Sequence, residues 1–298
     1  MSNLRKAVNG VTPPLRSSVM TQITSSSPPG TATAAICLRG ATKRFTTLDG
    51  AGFTAIRDVD LDVAAGEFVS VVGPTGCGKS TTLSLVSGLE PPSAGTVTVH
   101  GAPVTSIPDG VGYMFQADAV LPWRNVLDNV ALGLRYRGVS KAEAHARARD
   151  WLGRVGLTGF EDRYPHQLSG GMRKRVAMAQ TLITEPDLLL LDEPFGALDV
   201  QTRELMQNEL LELWSGTGAA VVFVTHDLTE AISLADRVVV MTAGPATVKD
   251  VVTIDLPRPR DVEEIRLTPE FVELYKRVWD SLREEVEITR ARGASHVA

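Results

Sequence analysis

The sequence predicts an α/β protein, with a parallel β-sheet core preceded by an antiparallel β subdomain and interrupted by an inserted α-helical subdomain. Continuous apolar runs predict the core, because they are typical of parallel strands buried on both faces. These runs are FVSVVG (68–73), LLLLDEP (188–194), AAVVFVTH (219–226) and RVVVMTAG (237–244). The insertion is predicted at roughly residues 117–182, where the sequence changes from strand-like to helix-like.

The β-rich subdomain is predicted from about residue 36, where ICLRGATKRF is followed by FTAIRDVDLDV before the first core strand. The inserted helices are predicted from SKAEAHARARDWLGRVG and GMRKRVAMAQTLI. Both of these stretches favour Ala, Arg, Leu and Met and lack runs of β-branched residues.

The segment TPEFVELYKRVWDSLREEVEITR predicts a C-terminal helix, with Thr268 as its N-cap and Pro269 in the first helical position. Its apolar residues recur at spacings of three and four and form one stripe. We expect the stripe to pack on the protein's own core, with a partner contact as the alternative. Its members are Phe271, Leu274, Tyr275, Val278, Trp279, Leu282 and Val286.

The ends of the chain are predicted to lie outside the folded domain. Residues 1–35 contain no Asp or Glu and are rich in Ser, Thr and Pro, which predicts a disordered tail. An organelle transit peptide is the alternative interpretation. The folded domain is expected over residues 36–285, and a C-terminal tail over residues 286–298.

Composition limits the partners of the chain. The formal net charge of −5 over 298 residues argues against nucleic acid, because phosphate binding normally requires a basic surplus. Cys37 and Cys77 are far apart and outside metal-ligand spacing, so we expect a reducing, cytosolic compartment and neither a disulfide nor a zinc site. No stretch approaches the ~20 apolar residues that span a bilayer, so work at a membrane requires another chain.

The stretch GPTGCGKST matches the P-loop pattern between an apolar strand and a helical run. Its glycines let backbone N–H groups converge on a phosphate, at φ values unfavourable to residues with a Cβ atom. We expect Lys79 to neutralise the β- and γ-phosphates and Ser80 to hold Mg²⁺. Cys77 is expected to be a small filler with an accessible thiol. The predicted nucleotide-binding residues here are Gly73, Pro74, Thr75, Gly76, Cys77, Gly78, Lys79, Ser80 and Thr81.

Polar residues also follow two of the other predicted core strands. Asp192 and Glu193 end the LLLLDEP run, where one carboxylate is placed to reach Mg²⁺ through water and the next to face an attacking water. Such a pair alone often only starts a surface loop, but the P-loop upstream favours the chemical role. His226 ends the next strand and is placed to hydrogen-bond a γ-phosphate, with a structural role as the alternative.

These motifs, taken in order, resemble those of the ATP-binding subunit of an ABC transporter over residues 36–285. The resemblance implies that Glu193, His226, Lys79 and Gln116 are catalytic, that ATP is the nucleotide, and that Ser80, Gln116 and Asp192 hold Mg²⁺. The matching motifs are Walker A (73–80), the Q-loop glutamine Gln116, the signature LSGGM (168–172), the Walker B pair Asp192 and Glu193, the D-loop ending at Asp199, and the switch histidine His226.

The signature is a second anion-binding surface, because a serine and two glycines open a helix whose free N–H groups and dipole point the same way. In this family two cassettes bind head to tail, which implies that Ser169, Gly170 and Gly171 of one chain cap the γ-phosphate held by the P-loop of a second copy. Met172 replaces the glutamine most common in the motif. We expect activity to persist, because the backbone donors remain.

The residues within these motifs are similar to those of the nitrate, sulfonate and taurine branch of ABC importers. This implies transmembrane permease subunits, an indirect solute-binding partner, no nucleic acid, and a peripheral position on the cytoplasmic face of the membrane. Another small anion or a thiamine-precursor-like heterocycle is the alternative solute. A non-transport ABC ATPase, an exporter and a small-molecule kinase are the alternative classes, and the kinase leaves the signature unexplained.

Two aromatic positions are predicted from the same resemblance. The family stacks an aromatic ring on adenine, for which Phe45 in TKRF is the best positional match and Phe53 the second choice. After Gln116, Leu121 and Trp123 are candidate anchors for a short helix of the membrane subunit. Packing within the core is the alternative for all four side chains.

Overall fold

The computed structural model describes residues 34–46 and 52–295, and the secondary structure over these residues consists of ten strands, nine α-helices and one 3-10 helix, Pro165–Gln167. The strands are β1 (Ala34–Thr46), β2 (Gly52–Ala64), β3 (Phe68–Val72), β4 (Ala94–Val99), β5 (Ala102–Pro103), β6 (Val111–Met114), β7 (Leu188–Asp192), β8 (Ala220–Thr225), β9 (Arg237–Met241) and β10 (Val248–Thr253). The predicted tail lies outside the described residues up to residue 33, and its last two residues, Ala34 and Ala35, begin β1.

The helices separate the strands of the core and fill the inserted region. They are α1 (Lys79–Val86), α2 (Val126–Val130), α3 (Leu132–Tyr136), α4 (Lys141–Arg154), α5 (Gly170–Leu182), α6 (Val200–Trp214), α7 (Leu228–Leu234), α8 (Val262–Ile265) and α9 (Pro269–Ser295). The run α2 to α5 lies between β6 and β7 in the chain, which is the position predicted for the helical subdomain.

Two sheets carry the fold. The first is antiparallel with the order β2-β1-β4-β5, and the second has the order β10-β9-β3-β8-β7-β6. In the second sheet, β9, β3, β8, β7 and β6 are parallel and only β10 runs antiparallel, along the edge. Because the polar ends of β3, β7 and β8 are the carboxyl ends of neighbouring parallel strands, they meet at one edge of the sheet.

The apolar runs of the core strands are continuous because both sheet faces are covered. Alternate residues of one strand belong to different clusters: Phe68 and Val72 face a cluster formed with the helices of the insertion and of the C-terminal half, whereas Val69 and Val71 face a cluster shared with α1 and the antiparallel sheet. The two-residue period of a strand places neighbours on opposite faces. The sequence-based assignment of buried parallel strands is confirmed.

Four strands were not predicted from the sequence: β4, β5, β6 and β10. They are short or polar. β10 carries Lys249 and Asp250 on a sheet edge, and β6 has only four residues, one of which is Gly112. β6 pairs with a strand distant in the chain, with Val111 opposite Leu188, whereas β5 and β10 pair with the strands directly before them. In none of the four strands does a local apolar pattern indicate the pairing.

The C-terminal helix begins as predicted, since the Thr268 hydroxyl accepts the Phe271 N–H at 3.3 Å. Phe271, Val278 and Leu282 are buried in the core, whereas Tyr275 and Trp279 are each 38% exposed. A C-terminal tail was predicted from residue 286, but α9 continues past that point and ends at Ser295. Among the described residues, no helix has the length and apolar character needed to cross a bilayer.

Candidate active site

A glycine-rich loop joins β3 to α1 at the carboxyl edge of the parallel sheet. Gly76 and Gly78 have φ values of +74° and +126°. A Cβ atom on Gly78 would lie 2.6 Å from the Ile56 Cγ2 atom and 2.8 Å from the Ala55 carbonyl oxygen. Only glycine therefore fits at position 78, and the antiparallel sheet supplies the wall against which the loop is pressed.

The two P-loop residues with reactive side chains are both buried. The Lys79 ammonium donates to the carbonyl oxygens of Gly73 at 2.9 Å and Pro74 at 3.1 Å. The Cys77 side chain is only 2% exposed, and burial raises the pKa of its thiol. The expected accessible thiol is therefore wrong, because Cys77 packs inward beneath the loop; the expectation of a small filler fits this burial.

The carboxylate pair follows β7 directly. Asp192 accepts a hydrogen bond from the Ser80 hydroxyl at 2.9 Å, which connects the P-loop helix to the neighbouring strand. Burial raises the pKa of the Asp192 carboxyl, while the Ser80 hydrogen bond opposes that rise. Glu193 adopts a φ of +42°, which turns its side chain away from the direction of the strand.

Two predicted polar residues, His226 and Gln116, meet at one carboxylate oxygen of a third, Glu193. Glu193 Oε2 lies 3.1 Å from His226 Nδ1 and 3.4 Å from Gln116 Nε2. These side chains come from the ends of β7, β8 and β6, which are neighbours in the parallel sheet. The alternative that Glu193 merely starts a surface loop does not account for this convergence.

A cavity of about 510 Å³ lies over the P-loop and beneath these side chains. Its wall unites residues of five different segments: Phe53, Ala55, Thr75, Gly76, Gly78, Lys79, Ser80, Thr81, Gln116, Glu193 and His226. Gly73 and Pro74 line a neighbouring cavity against α9 instead. The P-loop cavity is open on one side and has the buried Lys79 ammonium and other hydrogen-bond donors in its wall, which suits a polyphosphate.

The two candidate adenine rings stack on each other, with centroids 5.4 Å apart. Phe53 lines the cavity and is 53% exposed, whereas Phe45 is partly buried and is absent from the cavity wall. The structure therefore favours Phe53, the second choice, over Phe45. The rings stack because the hairpin of β1 and β2 pairs Phe45 directly with Phe53, which places both side chains on the same face of the sheet.

The serine and glycines at residues 169–171 lie apart from this cavity. Ser169 and Gly170 are exposed, and none of the three residues belongs to the cavity wall. The Ser169 hydroxyl caps α5 by accepting the Met172 N–H at 3.2 Å. The Met172 side chain packs against the apolar core. The chain thus presents the capped N-terminus of α5 at its surface, and the Met172 side chain, which replaces glutamine, packs on the core instead.

Comparison with known proteins decides the family. A family model described as ABC transporter matches residues 56–196. An uncharacterized ABC transporter ATP-binding protein of Methanocaldococcus jannaschii is 47% identical over 232 residues, which are 78% of this chain and 85% of that protein. This chain belongs to the ATP-binding family of ABC transporters. Like other cassettes of this family, it is an ATPase whose hydrolysis is coupled to transport.

Two further relatives refine the comparison. The cassette is 41% identical to a taurine import ATP-binding protein of Burkholderia pseudomallei over 258 residues, which are 85% of this chain and 99% of that protein. A solved ATP-binding cassette, a dimer in a post-hydrolysis state with bound ADP and Pi, superposes with a TM-score of 0.67 at 31% identity, over 74% of this chain and all of that one. These similarities assign the cassette to the ABC importers of the taurine, nitrate and sulfonate branch.

Two buried polar side chains that hold the segment after Gln116 were not predicted from the sequence. Asn129 is fully buried; its amide oxygen accepts the Leu121 N–H at 2.7 Å, and its amide nitrogen donates to three carbonyl oxygens of the same loop. This loop carries Trp123, which is 71% exposed, so the alternative of core packing is wrong for Trp123. Lys174 is likewise buried, against Asp118. Neither Asn129 nor Lys174 has a sequence signal, because burial of a polar side chain depends on the fold.

We expect Gly78→Ala to abolish ATP binding. The left-handed backbone and the Ile56 and Ala55 contacts impose strain of roughly 1–3 kcal/mol even before the loop moves, and any movement misplaces the phosphate donors. Gly159→Ala is the matched control, since Gly159 also has a positive φ of +87° but no atom lies within 4 Å of the added methyl group. Titration with a fluorescent ATP analogue and thermal melting check both variants. Wild-type affinity in Gly78→Ala would contradict the role of this glycine.

Proposed function

We propose that this chain is the ATP-hydrolysing subunit of an importer for a small sulfonate such as taurine. Two copies would sit head to tail on the cytoplasmic face of the membrane, bound to permease subunits that receive solute from a binding protein. The observation that carries the ATPase role is the convergence of Gln116 and His226 on Glu193 above the P-loop cavity. The solute rests on the similarity to the taurine import protein.

The residues around Ser80 fit a magnesium site. The Ser80 hydroxyl and the Asp192 carboxylate are 2.9 Å apart, and the Gln116 side chain, on the wall of the same cavity, adds an amide oxygen. Hard oxygen ligands of this kind, few in number, are what Mg²⁺ takes when substrate phosphates and water complete its shell. When bound there, Mg²⁺ would neutralise negative charge on the substrate phosphates.

Hydrolysis would then proceed by attack of water on the γ-phosphorus. The bond between that phosphorus and the oxygen bridging to the β-phosphate breaks, giving ADP and phosphate, and Glu193 takes the proton of the attacking water. His226 and Gln116 hold the Glu193 carboxylate in place. Lys79 would exchange the carbonyl oxygens of Gly73 and Pro74 for phosphate oxygens, which are stronger partners for an ammonium group.

The exposed signature supports a site completed by a second copy. Ser169 and Gly170 are exposed, outside the P-loop cavity of their own chain. Phosphoryl transfer needs mainly positioning and stabilisation of spread negative charge, and a helix N-terminus delivered by a partner provides both. The related cassette solved as a dimer supports the same arrangement.

The Trp123 loop is the proposed contact with the permease. Trp123 is exposed at a position braced by the buried Asn129 amide, and rigid exposed aromatic rings are common anchors at interfaces. Because this loop follows Gln116 by a few residues, movement of the Q-loop would reach the permease directly.

Reconstitution of the cassette with its permease in vesicles tests the proposed function. We expect a binding protein loaded with taurine, added on the face of the membrane opposite the cassettes, to stimulate ATP hydrolysis and to drive taurine to the face that carries the cassettes. Unloaded binding protein is the control. Stimulation of hydrolysis only by other solutes would contradict the assignment of taurine as the substrate. Recovery of the chain with ribosomes or DNA instead of a membrane protein would contradict its assignment as a transport ATPase.

We expect Phe53→Ala to weaken ATP binding by about 0.5–1.5 kcal/mol, the range typical of aromatic stacking, and Phe45→Ala to have a smaller effect. Inorganic triphosphate is the matched ligand control, because it has no base to stack, so its affinity should not change in either variant. Competition titrations give both affinities. A larger loss in Phe45→Ala than in Phe53→Ala would instead assign the adenine contact to Phe45.

A further inference from the structure

The His226 turn, residues 225–227, is closed by the residues on either side of the histidine. The Thr225 hydroxyl oxygen accepts the Asp227 N–H at 3.0 Å, so one hydrogen bond joins the residues before and after His226. Threonine hydroxyls commonly stabilise turns in this way. The His226 side chain is 58% exposed, and its Nδ1 atom lies 3.1 Å from Glu193 Oε2. Because little packs around the imidazole, its position depends on the geometry of the turn.

A buried carboxylate holds this turn from the inside of the protein. Glu230, in the first turn of α7, is 3% exposed. Its Oε2 atom accepts the Thr225 hydroxyl at 2.5 Å, and its Oε1 atom accepts Gln207 Nε2 of α6 at 2.9 Å. Arg203 Nε lies 3.8 Å from Oε1 and supplies the opposite charge. Both carboxylate oxygens are therefore paired, as a buried carboxylate requires.

Gln207 connects Glu230 to a further helix. Gln207 is fully buried, and its amide oxygen accepts Arg266 Nη2, at the end of α8, at 3.1 Å. Arg266 is paired in turn with Glu204. Because each of these side chains has its own partners, Glu230 has little freedom to move. The carboxylate is thus fixed from α6 and α8, and it holds Thr225 through one hydrogen bond.

Glu230 does not contribute to the site by direct contact, since it is absent from the wall of the P-loop cavity. A buried ion pair is also weak evidence for a role in stability, because well-packed apolar residues of similar volume are often as stable or more stable. What distinguishes Glu230 is that its hydrogen bond ends on the residue directly before His226. The carboxylate therefore acts on the geometry of the site.

We propose that Glu230 is a positioning residue for hydrolysis: by fixing Thr225 it sets the His226 turn and holds the imidazole against Glu193. This inference rests on the proposed function, in which Glu193 takes the proton of the attacking water and His226 holds its carboxylate. Without Glu230 the imidazole is free to leave Glu193, whose carboxylate then keeps only Gln116 of its two side-chain partners. ATP binding is preserved, because the P-loop is untouched.

A double-mutant cycle on the full chain tests the role of Glu230. We expect Glu230→Leu to lower kcat about 10²-fold, the cost of misplacing a group by about 1 Å, while the Kd for a fluorescent ATP analogue stays close to the wild-type value. In His226→Ala, which already lacks the imidazole, the same change should lower kcat no further, because residues that act as a unit are not additive. A purely structural role would lower kcat by the same factor in both backgrounds.

Glu67→Leu is the matched control. Glu67 Oε2 accepts the Ala64 N–H at 2.8 Å and Glu67 Oε1 pairs with Arg237 at 3.0 Å, so this carboxylate also holds a turn, but at the amino end of β3. The control should lower the melting temperature and leave kcat unchanged. Glu230→Gln should keep most of the wild-type kcat, because its amide still forms hydrogen bonds with Thr225 and Gln207.

Thr225→Val is the second variant, should Glu230→Leu fail to fold, because it removes only the hydroxyl that Glu230 holds. It should show the same loss of kcat, and that loss should also vanish in His226→Ala. Wild-type kcat in a folded Glu230→Leu or in Thr225→Val, or equal losses with and without the imidazole, would overturn the inference while the role of His226 stands. Wild-type kcat in His226→Ala itself would overturn both the inference and the proposed role of His226.

Discussion

Glu193→Gln is expected to lower the rate of ATP hydrolysis by about 10²–10⁴-fold, the usual contribution of a positioned general base, while ATP binding stays within a fewfold of the wild type. The amide keeps the shape of the carboxylate and its contacts with Gln116 and His226, but it does not accept the proton of the attacking water. The variant should therefore accumulate as a dimer with ATP trapped between its subunits.

Single-turnover hydrolysis and size-exclusion chromatography with ATP measure these two effects. Glu273→Gln is the matched control, because Glu273 is exposed on α9 and the same change there should alter neither rate nor assembly. A hydrolysis rate of Glu193→Gln within tenfold of the wild-type rate would contradict the role of Glu193 as the general base and would indicate that another base in the cavity takes the proton.

Mixing two inactive variants is expected to restore hydrolysis. Lys79→Ala damages the P-loop and leaves the signature intact, whereas Ser169→Arg does the reverse. A mixed dimer then has one site with both defects and one site with none. At equal amounts and random pairing, half of the dimers are mixed, so independent sites would give about a quarter of the wild-type rate, as two-fold symmetry requires.

The serine change has a close control within the same subdomain. Ser140 caps α4 by accepting the Glu143 N–H at 3.2 Å, just as Ser169 caps α5. Ser140→Arg therefore removes a cap worth typically ~1 kcal/mol without touching the signature, and it should hydrolyse ATP normally. A mixture whose rate only equals the sum of its two inactive parents would show that each chain carries a complete site.

The motifs were readable in the sequence because their geometry is local. The P-loop needs glycine where φ reaches +126° at Gly78, and few other stretches satisfy that requirement next to an apolar strand and a helix start. The caps at Ser169 and Asp199 are equally local, since each side chain accepts an N–H three residues further on. A linear pattern is sufficient wherever the contacts join residues that are close in the chain.

The choice between Phe45 and Phe53 was not readable in this way. Both rings belong to the same hairpin, and which one faces the cavity depends on the register of β1 against β2 and on the approach of the P-loop. The exposure of Trp123 and the burial of Cys77 depend similarly on what packs around them. Whether a side chain is buried depends on how the sheets and helices of the fold pack against each other.

The sequence by itself determined the family, the order of the chemical motifs and the buried parallel strands, because backbone conformation and apolar periodicity are encoded by near neighbours. Only the tertiary structure decided that Glu193, Gln116 and His226 meet at one oxygen, that Phe53 walls the cavity, and that Gln207 holds Glu230 beside the His226 turn. Those contacts join residues separated by 33 to 77 positions at the carboxylate and by 23 at the glutamine. Their geometry depends on how sheet and helices pack, which no local pattern specifies.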